Sequence, residues 1–142
     1  MYSIFAFCRR VFARIIEDAP HLKALGVRLI LQPMTSAREL RVWLAANGFA
    51  IEEERYAKEK EKLYVVIAAS YIGQPYSLSP EDSYVGFGTG DLHSEWIQKQ
   101  IGALQKQVNG LAKAGKEDPN LNSLVASLTA RLDVAEGSSH DG

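Results

Sequence analysis

The chain has 142 residues, 46% of them hydrophobic and 23% charged, a balance that sustains one modest core and argues against a disordered or membrane-embedded chain. Its formal net charge of -1 gives no general attraction to polyanions, so any nucleic acid must meet a local basic patch. A single cysteine, Cys8, rules out an internal disulfide, and His21, His93 and His140 are too scattered to form a metal site, so no metal is expected and the cytosol is the expected, cytoplasmic compartment.

The opening Met1-Tyr-Ser-Ile-Phe-Ala-Phe-Cys8 is apolar, but its charges, Arg9 and Arg10, follow the run instead of preceding it, which is not the order of a signal peptide. It is also far shorter than the roughly 20 residues of a membrane helix. Residues 1–10 therefore form an atypical N-terminal segment. From Arg10 to about Ala24 the residues Val11, Phe12, Ile15, Ile16 and Ala19 fall mostly on one helical face, which Pro20 disturbs near its end. Gly26 breaks the chain, and Val27-Arg-Leu-Ile-Leu-Gln32 is a short apolar run of the kind expected for a strand buried on both faces of a parallel sheet, with Pro33 stopping it.

Ser36-Ala-Arg-Glu39 fits a capping box and predicts a helix start there. Leu40, Trp43 and Leu44 make its buried stripe, and Gly48 supplies the left-handed residue that ends it. Phe49 to Ala57 and Lys62 to Tyr71 read as the strands of a long antiparallel hairpin joined by Lys58-Glu-Lys-Glu61. The second strand is the more apolar and belongs in the interior. Glu52, Glu53, Glu54 and Arg55 mark the first as an edge, with the glutamates solvating the hairpin.

Gly73 to Gly90 is a connecting loop with a helical turn expected near Pro80-Glu-Asp-Ser83. Within it, Gly86-Phe-Gly-Thr-Gly90 reads as a flexible connector, because a nucleotide-binding glycine loop needs a preceding buried strand inside a βαβ unit. Trp96 or Ile97, Ile101, Leu104, Val108 and Leu111 then alternate by fours and threes, the seam of a coiled-coil helix. Ala114 to Asn120 breaks it, and Leu121, Leu124, Val125, Leu128 and Leu132 resume the spacing, so two antiparallel helices bury each other's seams. The predicted organisation is a partial Rossmann-like domain over 11–72, a linker over 73–91, a coiled-coil helical hairpin over 92–136 and a disordered tail over 137–142. The fold class is α/β: one parallel strand plus an antiparallel hairpin, followed by the helical hairpin.

Val27 to Gln32 is too apolar to be an edge, yet no earlier segment reads as its second neighbour. An unpaired edge there predicts self-association or poor solubility.

Leu29-Ile-Leu-Gln-Pro33, Ala37-Arg-Glu-Leu-Arg41, Trp43-Leu-Ala-Ala-Asn-Gly-Phe49, Glu52-Glu-Glu and Leu63-Tyr-Val-Val, with the later Val85-Gly-Phe and Leu92 to Gln100 around Trp96, resemble the bacterial tRNA (adenine(22)-N(1))-methyltransferase family, over about Ala13 to Glu136. The resemblance implies a class I, S-adenosylmethionine-dependent tRNA methyltransferase, a tRNA partner and a C-terminal helical appendage that holds the tRNA. It also implies a cofactor-binding half upstream, with a glycine-rich turn and an acidic residue for the ribose. Neither occurs in these residues, so a truncated chain, inactive in isolation and with no cofactor-binding residues of its own, is the expectation. Met34 stands where family members often have Asn.

Gln32, Pro33 and Met34 lie at the carboxyl end of the predicted parallel strand, where open α/β sheets place ligands, and form the expected edge of the substrate pocket; a plain strand stop explains them equally well. No side chain here is an obvious base. N1 of adenine already carries a lone pair, so methyl transfer needs positioning and electrostatics more than a strong nucleophile. Lys99, Lys106 and Lys113 recur every seven residues on a stripe away from the seam, either a solvated face or, as the resemblance implies, a tRNA-binding track. The alternative function is a non-catalytic RNA-binding or self-associating helical module.

Overall fold

The computed structural model describes residues 2–6, 9–33 and 37–140. It divides into two compact units, Met1–Gly88 and Thr89–Gly142.

The first unit is built on a four-stranded sheet. Strands β1 (Tyr2–Ala6), β2 (Arg28–Pro33), β3 (Phe49–Glu59) and β4 (Lys62–Tyr71) lie in the order β1-β2-β4-β3. β1 runs parallel to β2, with Tyr2 opposite Leu29 and Ala6 opposite Pro33. The hairpin strand β4 then inserts antiparallel beside β2, leaving β3 at the edge as its charges predict. A parallel pair needs a crossover of a dozen or more residues. Here helix α1 (Arg9–Asp18) and a single 3-10 turn at Pro20–Leu22 supply it. The helix stops short of Ala24 because Pro20 has no N–H to continue the ladder.

β1 corrects the expectation of a missing neighbour. The segment that reads as atypical carries Tyr2, Ile4 and Phe5, strand-forming residues in a run too short to show a period. With β1 in place, β2 is an interior strand, so the expected route to self-association through its unpaired edge is withdrawn. β2 also differs from a strand buried on both faces. Leu29, Leu31 and Pro33 are buried while Arg28, Ile30 and Gln32 are only half-covered.

The covered face follows from the register. Leu29 pairs with Ala69 and Leu31 with Ile67, and directly opposed residues share a face. Glu54 of β3 also opposes Ile67 and is bonded to Arg41 of helix α2 (Ala37–Ala46), which places α2 on that side. Phe12 and Ile16 of α1, and Leu40 and Leu44 of α2, are buried at helical spacing and fill the core with Val65, Ile67 and Ala69. Phe49 completes it, stacked 6.0 Å from Trp43 and edge-on 5.2 Å from Tyr71. Gly48, at φ 80°, ends α2 as predicted. Ser36, the expected cap, lies outside the described residues. The hairpin turns at Lys60 and Glu61, two residues later than expected, with Lys60 in the left-handed region at φ 56°. A short helix, α3 (Pro80–Val85), starts where Ser79 accepts from the Asp82 amide.

The second unit holds helices α4 (Asp91–Lys113) and α5 (Pro119–His140). Gly115 closes α4, donating to Ala112 O while Lys116 N–H reaches Leu111 O, the paired bonds of a Schellman motif. Asp118 then caps α5 by accepting from the Asn120 and Leu121 amides. The helices run back along each other. Gln98 donates to Glu136 at one end, and Leu111 and Asn122 line a common hollow at the other. Ile97, Leu104 and Leu128 are the buried members of the seam. α5 continues to His140, into the segment expected to be a disordered tail. Among the described residues, no helix is long and apolar enough to cross a membrane.

Candidate functional site

The carboxyl ends of β1 and β2 fall together, since Ala6 opposes Pro33. Gln32 and Pro33 therefore stand at the end of a parallel pair inside a βαβ unit, the position at which such sheets bind ligands. Pro33 is buried and Gln32 half-covered, which puts a carboxamide at this edge. Met34, the third residue of the predicted pocket edge, lies outside the described residues.

A second centre, which sequence reasoning missed, is a buried ion pair. Arg41 Nε donates to Glu54 Oε2 at 2.9 Å and Nη2 to Glu54 Oε1 at 2.6 Å, and both side chains are fully buried. This fork-to-fork geometry is the strongest form of the pair. The remaining guanidinium nitrogen, Nη1, donates to the Ser83 carbonyl at 2.9 Å, so Arg41 also caps the carboxyl end of α3. One helix turn away, Arg38 stacks 4.7 Å above the Tyr84 ring. Two arginines of α2 thus dock α3.

The glycine run is part of the same centre. A Cβ on Gly86 would collide with Arg41 Nη2 and Glu54 Oε1, and one on Gly88 would collide with the Tyr56 ring. Gly86 and Gly88 are buried, so this stretch is packed rather than a flexible connector throughout. A larger residue at either position would have to displace these side chains.

Tyr56 feels this setting. Burial pushes its phenol well above the ordinary range, the Glu54 carboxylate adds to that, and Arg41 partly opposes it. The folded chain holds this proton more tightly than the unfolded chain. The resulting stability is fully present below about pH 10 and is lost as pH rises above it. Wild type should consequently lose more stability than Tyr56→Phe in urea titrations run above pH 10. Parallel pH profiles for the two proteins would show that the phenol is not held in this way.

In the second unit Lys99, Lys106 and Lys113 are all exposed on α4. Each stands two residues beyond a seam position, Ile97, Leu104 or Leu111, a rotation of about 200°, so the stripe faces away from α5. Successive lysines are about 10 Å apart along the axis.

An α/β sheet with one βαβ unit, closed by an antiparallel hairpin inserted beside the last parallel strand, defines a Rossmann-like fold. The family model for tRNA (adenine(22)-N(1))-methyltransferase, TrmK, matches residues 9–132, and the chain belongs to that family. Among solved structures, a Streptococcus agalactiae protein of the NADB-Rossmann superfamily is similar at 23% identity and a TM-score of 0.71, over 92% of this chain and 58% of that one. A candidate tRNA (m1A22) methyltransferase from Streptococcus pneumoniae, in complex with S-adenosyl-L-methionine, is similar at 25% identity and a TM-score of 0.67, over 92% of this chain and 59% of that one. M. capricolum TrmK, in complex with S-adenosyl-homocysteine, shares the fold at 17% identity and a TM-score of 0.61, over 94% of this chain and 60% of that one. This chain thus spans about three fifths of the length of those structures. No curated protein sequence matches it.

Proposed function

We propose that this chain serves in the S-adenosylmethionine-dependent methylation of N1 of adenine 22 in tRNA, contributing the carboxyl-terminal part of the catalytic sheet and a coiled-coil helical hairpin that engages tRNA in the cytoplasm. The observation that carries this reading is the family match across residues 9–132, nearly the whole α/β unit and most of the helical one. The sheet order supports it, because Gln32 and Pro33 then border the reacting adenine at the carboxyl edge of β2.

Among the described residues, the glycine run does not fit the cofactor. Its recognition in Rossmann-like sheets uses a glycine turn on which backbone approaches the ligand. The candidate glycines here, Gly86 and Gly88, are pressed against Arg41, Glu54 and Tyr56 instead. We therefore assign cofactor binding to none of the described residues. What the chain supplies is positioning. N1 of adenine attacks with its own lone pair, so a polar edge such as the Gln32 carboxamide, which can both donate and accept, is suited to orienting the base without removing a proton first.

Isothermal calorimetry tests the assignment. The 142-residue chain should show no micromolar affinity for S-adenosylmethionine, while retaining salt-dependent binding to a tRNA transcript. Micromolar cofactor binding would place a cofactor site within the chain and overturn the assignment. Absence of tRNA binding would overturn the tRNA-engaging role. The same glycine packing favours a second reading, in which the chain acts as a non-catalytic RNA-binding module.

A further inference from the structure

The run Gly86-Phe-Gly-Thr-Gly90 uses its three glycines in two different ways. Gly86 adopts φ 76° and Gly88 abuts the Tyr56 ring, and neither position has room for a methyl group. The groups that crowd them are held in place: Arg41 and Glu54 by two mutual hydrogen bonds in a fully buried setting, and the preceding residues Ser83 and Val85 by burial at 2% exposure each. Gly90 is the opposite case. It is exposed at φ 89°, and a Cβ there would meet nothing within 4 Å. It also opens α4 without any side-chain cap, although cap positions commonly carry a Ser, Thr, Asp or Asn oxygen. The boundary between the two compact units falls between Gly88 and Thr89, where the packed glycines give way to the open one.

We propose that the segment is a built-in conformational device, a strap sealed to the sheet by Arg41, Glu54 and Tyr56 as far as Gly88, followed by a two-residue swivel at Thr89 and Gly90. The strap roots the swivel at a fixed point, so backbone freedom is concentrated in two residues rather than spread along the linker. α4 leaves this swivel as one rigid rod. The lysines on that rod can then be presented to a large, curved polyanion without loosening the sheet. That last consequence rests on the tRNA reading above; the strap and swivel themselves rest on packing alone.

Backbone nitrogen-15 relaxation on the full chain reads this directly. Gly86, Phe87 and Gly88 should show order parameters near the value of about 0.85 typical of rigid backbone, with Thr89 and Gly90 falling toward about 0.6. A uniform profile across 86–90, whether rigid or mobile, would overturn the proposal. In Gly88→Ala the methyl group would be driven into the Tyr56 ring. Residues 86–88 should then lose order while β2 and β4 amides keep theirs. Gly102→Ala, whose Cβ meets open space, should leave the strap unchanged. A strap that stays rigid in Gly88→Ala would show that Gly88 does not seal it. These readouts do not involve RNA, so failure of the tRNA reading would leave them intact, and their failure would leave that reading intact.

Discussion

Arg41→Ala is expected to destabilise the sheet unit by about 3–5 kcal/mol, because it strands the Glu54 carboxylate in a site where both side chains are fully buried. Glu54→Ala should cost as much, leaving a buried guanidinium without its carboxylate. Against a total stability of roughly 5–15 kcal/mol for a small domain, either change removes a large fraction of what holds the unit together. Circular dichroism in urea would read it as a much lower midpoint or as no cooperative transition. The pair as a whole is a different matter, since desolvating two ions offsets most of what their attraction returns. Arg41→Met with Glu54→Leu should therefore recover most of the loss in the same titration. The double replacement would still leave Ser83 O without the guanidinium donor, so α3 should exchange its amide protons faster than in wild type even where the midpoint recovers. Single variants that unfold like wild type would mean that water reaches the pair and that the two residues do not organise the site.

The sequence betrays this centre only in part, and the reason is a β-bulge. Counting by twos from the buried Phe49 puts Ile51, Glu53 and Arg55 on the covered face of β3. The register slips between Ile51 and Glu53, and the inward positions become Glu54 and Tyr56. Without the bulge, Glu54 reads with its neighbours as hairpin solvation. On α2 a signal is present: Ala37, Leu40, Arg41 and Leu44 are spaced as one helical face and all are buried, so Arg41 sits in an apolar stripe that asks for a partner. The carboxyl end of α2, the existence of the hairpin, the edge position of β3 and the two C-terminal helices are legible because long periodic segments and left-handed glycines mark them locally. β1 is not. A parallel strand is stabilised by a distant partner, here Tyr2 against Leu29, and a five-residue run carries no periodicity to announce it.

On the proposed tRNA-engaging reading, replacing Lys99, Lys106 and Lys113 together by alanine should lower the salt dependence of tRNA binding, reducing the slope of log K against log salt by roughly two to three, since each phosphate left unneutralised takes about 0.7–0.9 from that slope. The helical unit should survive the change, because all three side chains are exposed and face away from the seam that buries Ile97, Leu104 and Leu128. Unchanged far-ultraviolet circular dichroism would check this. A stripe of about 20 Å on one rigid helix can meet several phosphates at once, whereas the exposed lysines of the β3–β4 hairpin, Lys58, Lys60 and Lys62, sit around a tight turn. That contrast supplies the control. Alanine at Lys58, Lys60 and Lys62 changes the net charge of the chain by the same amount, so a purely global electrostatic effect would lower the slope equally in both triple variants. A reduction confined to the α4 set would assign phosphate binding to the stripe, and equal reductions would assign it to overall charge and leave α4 with no special part in holding tRNA.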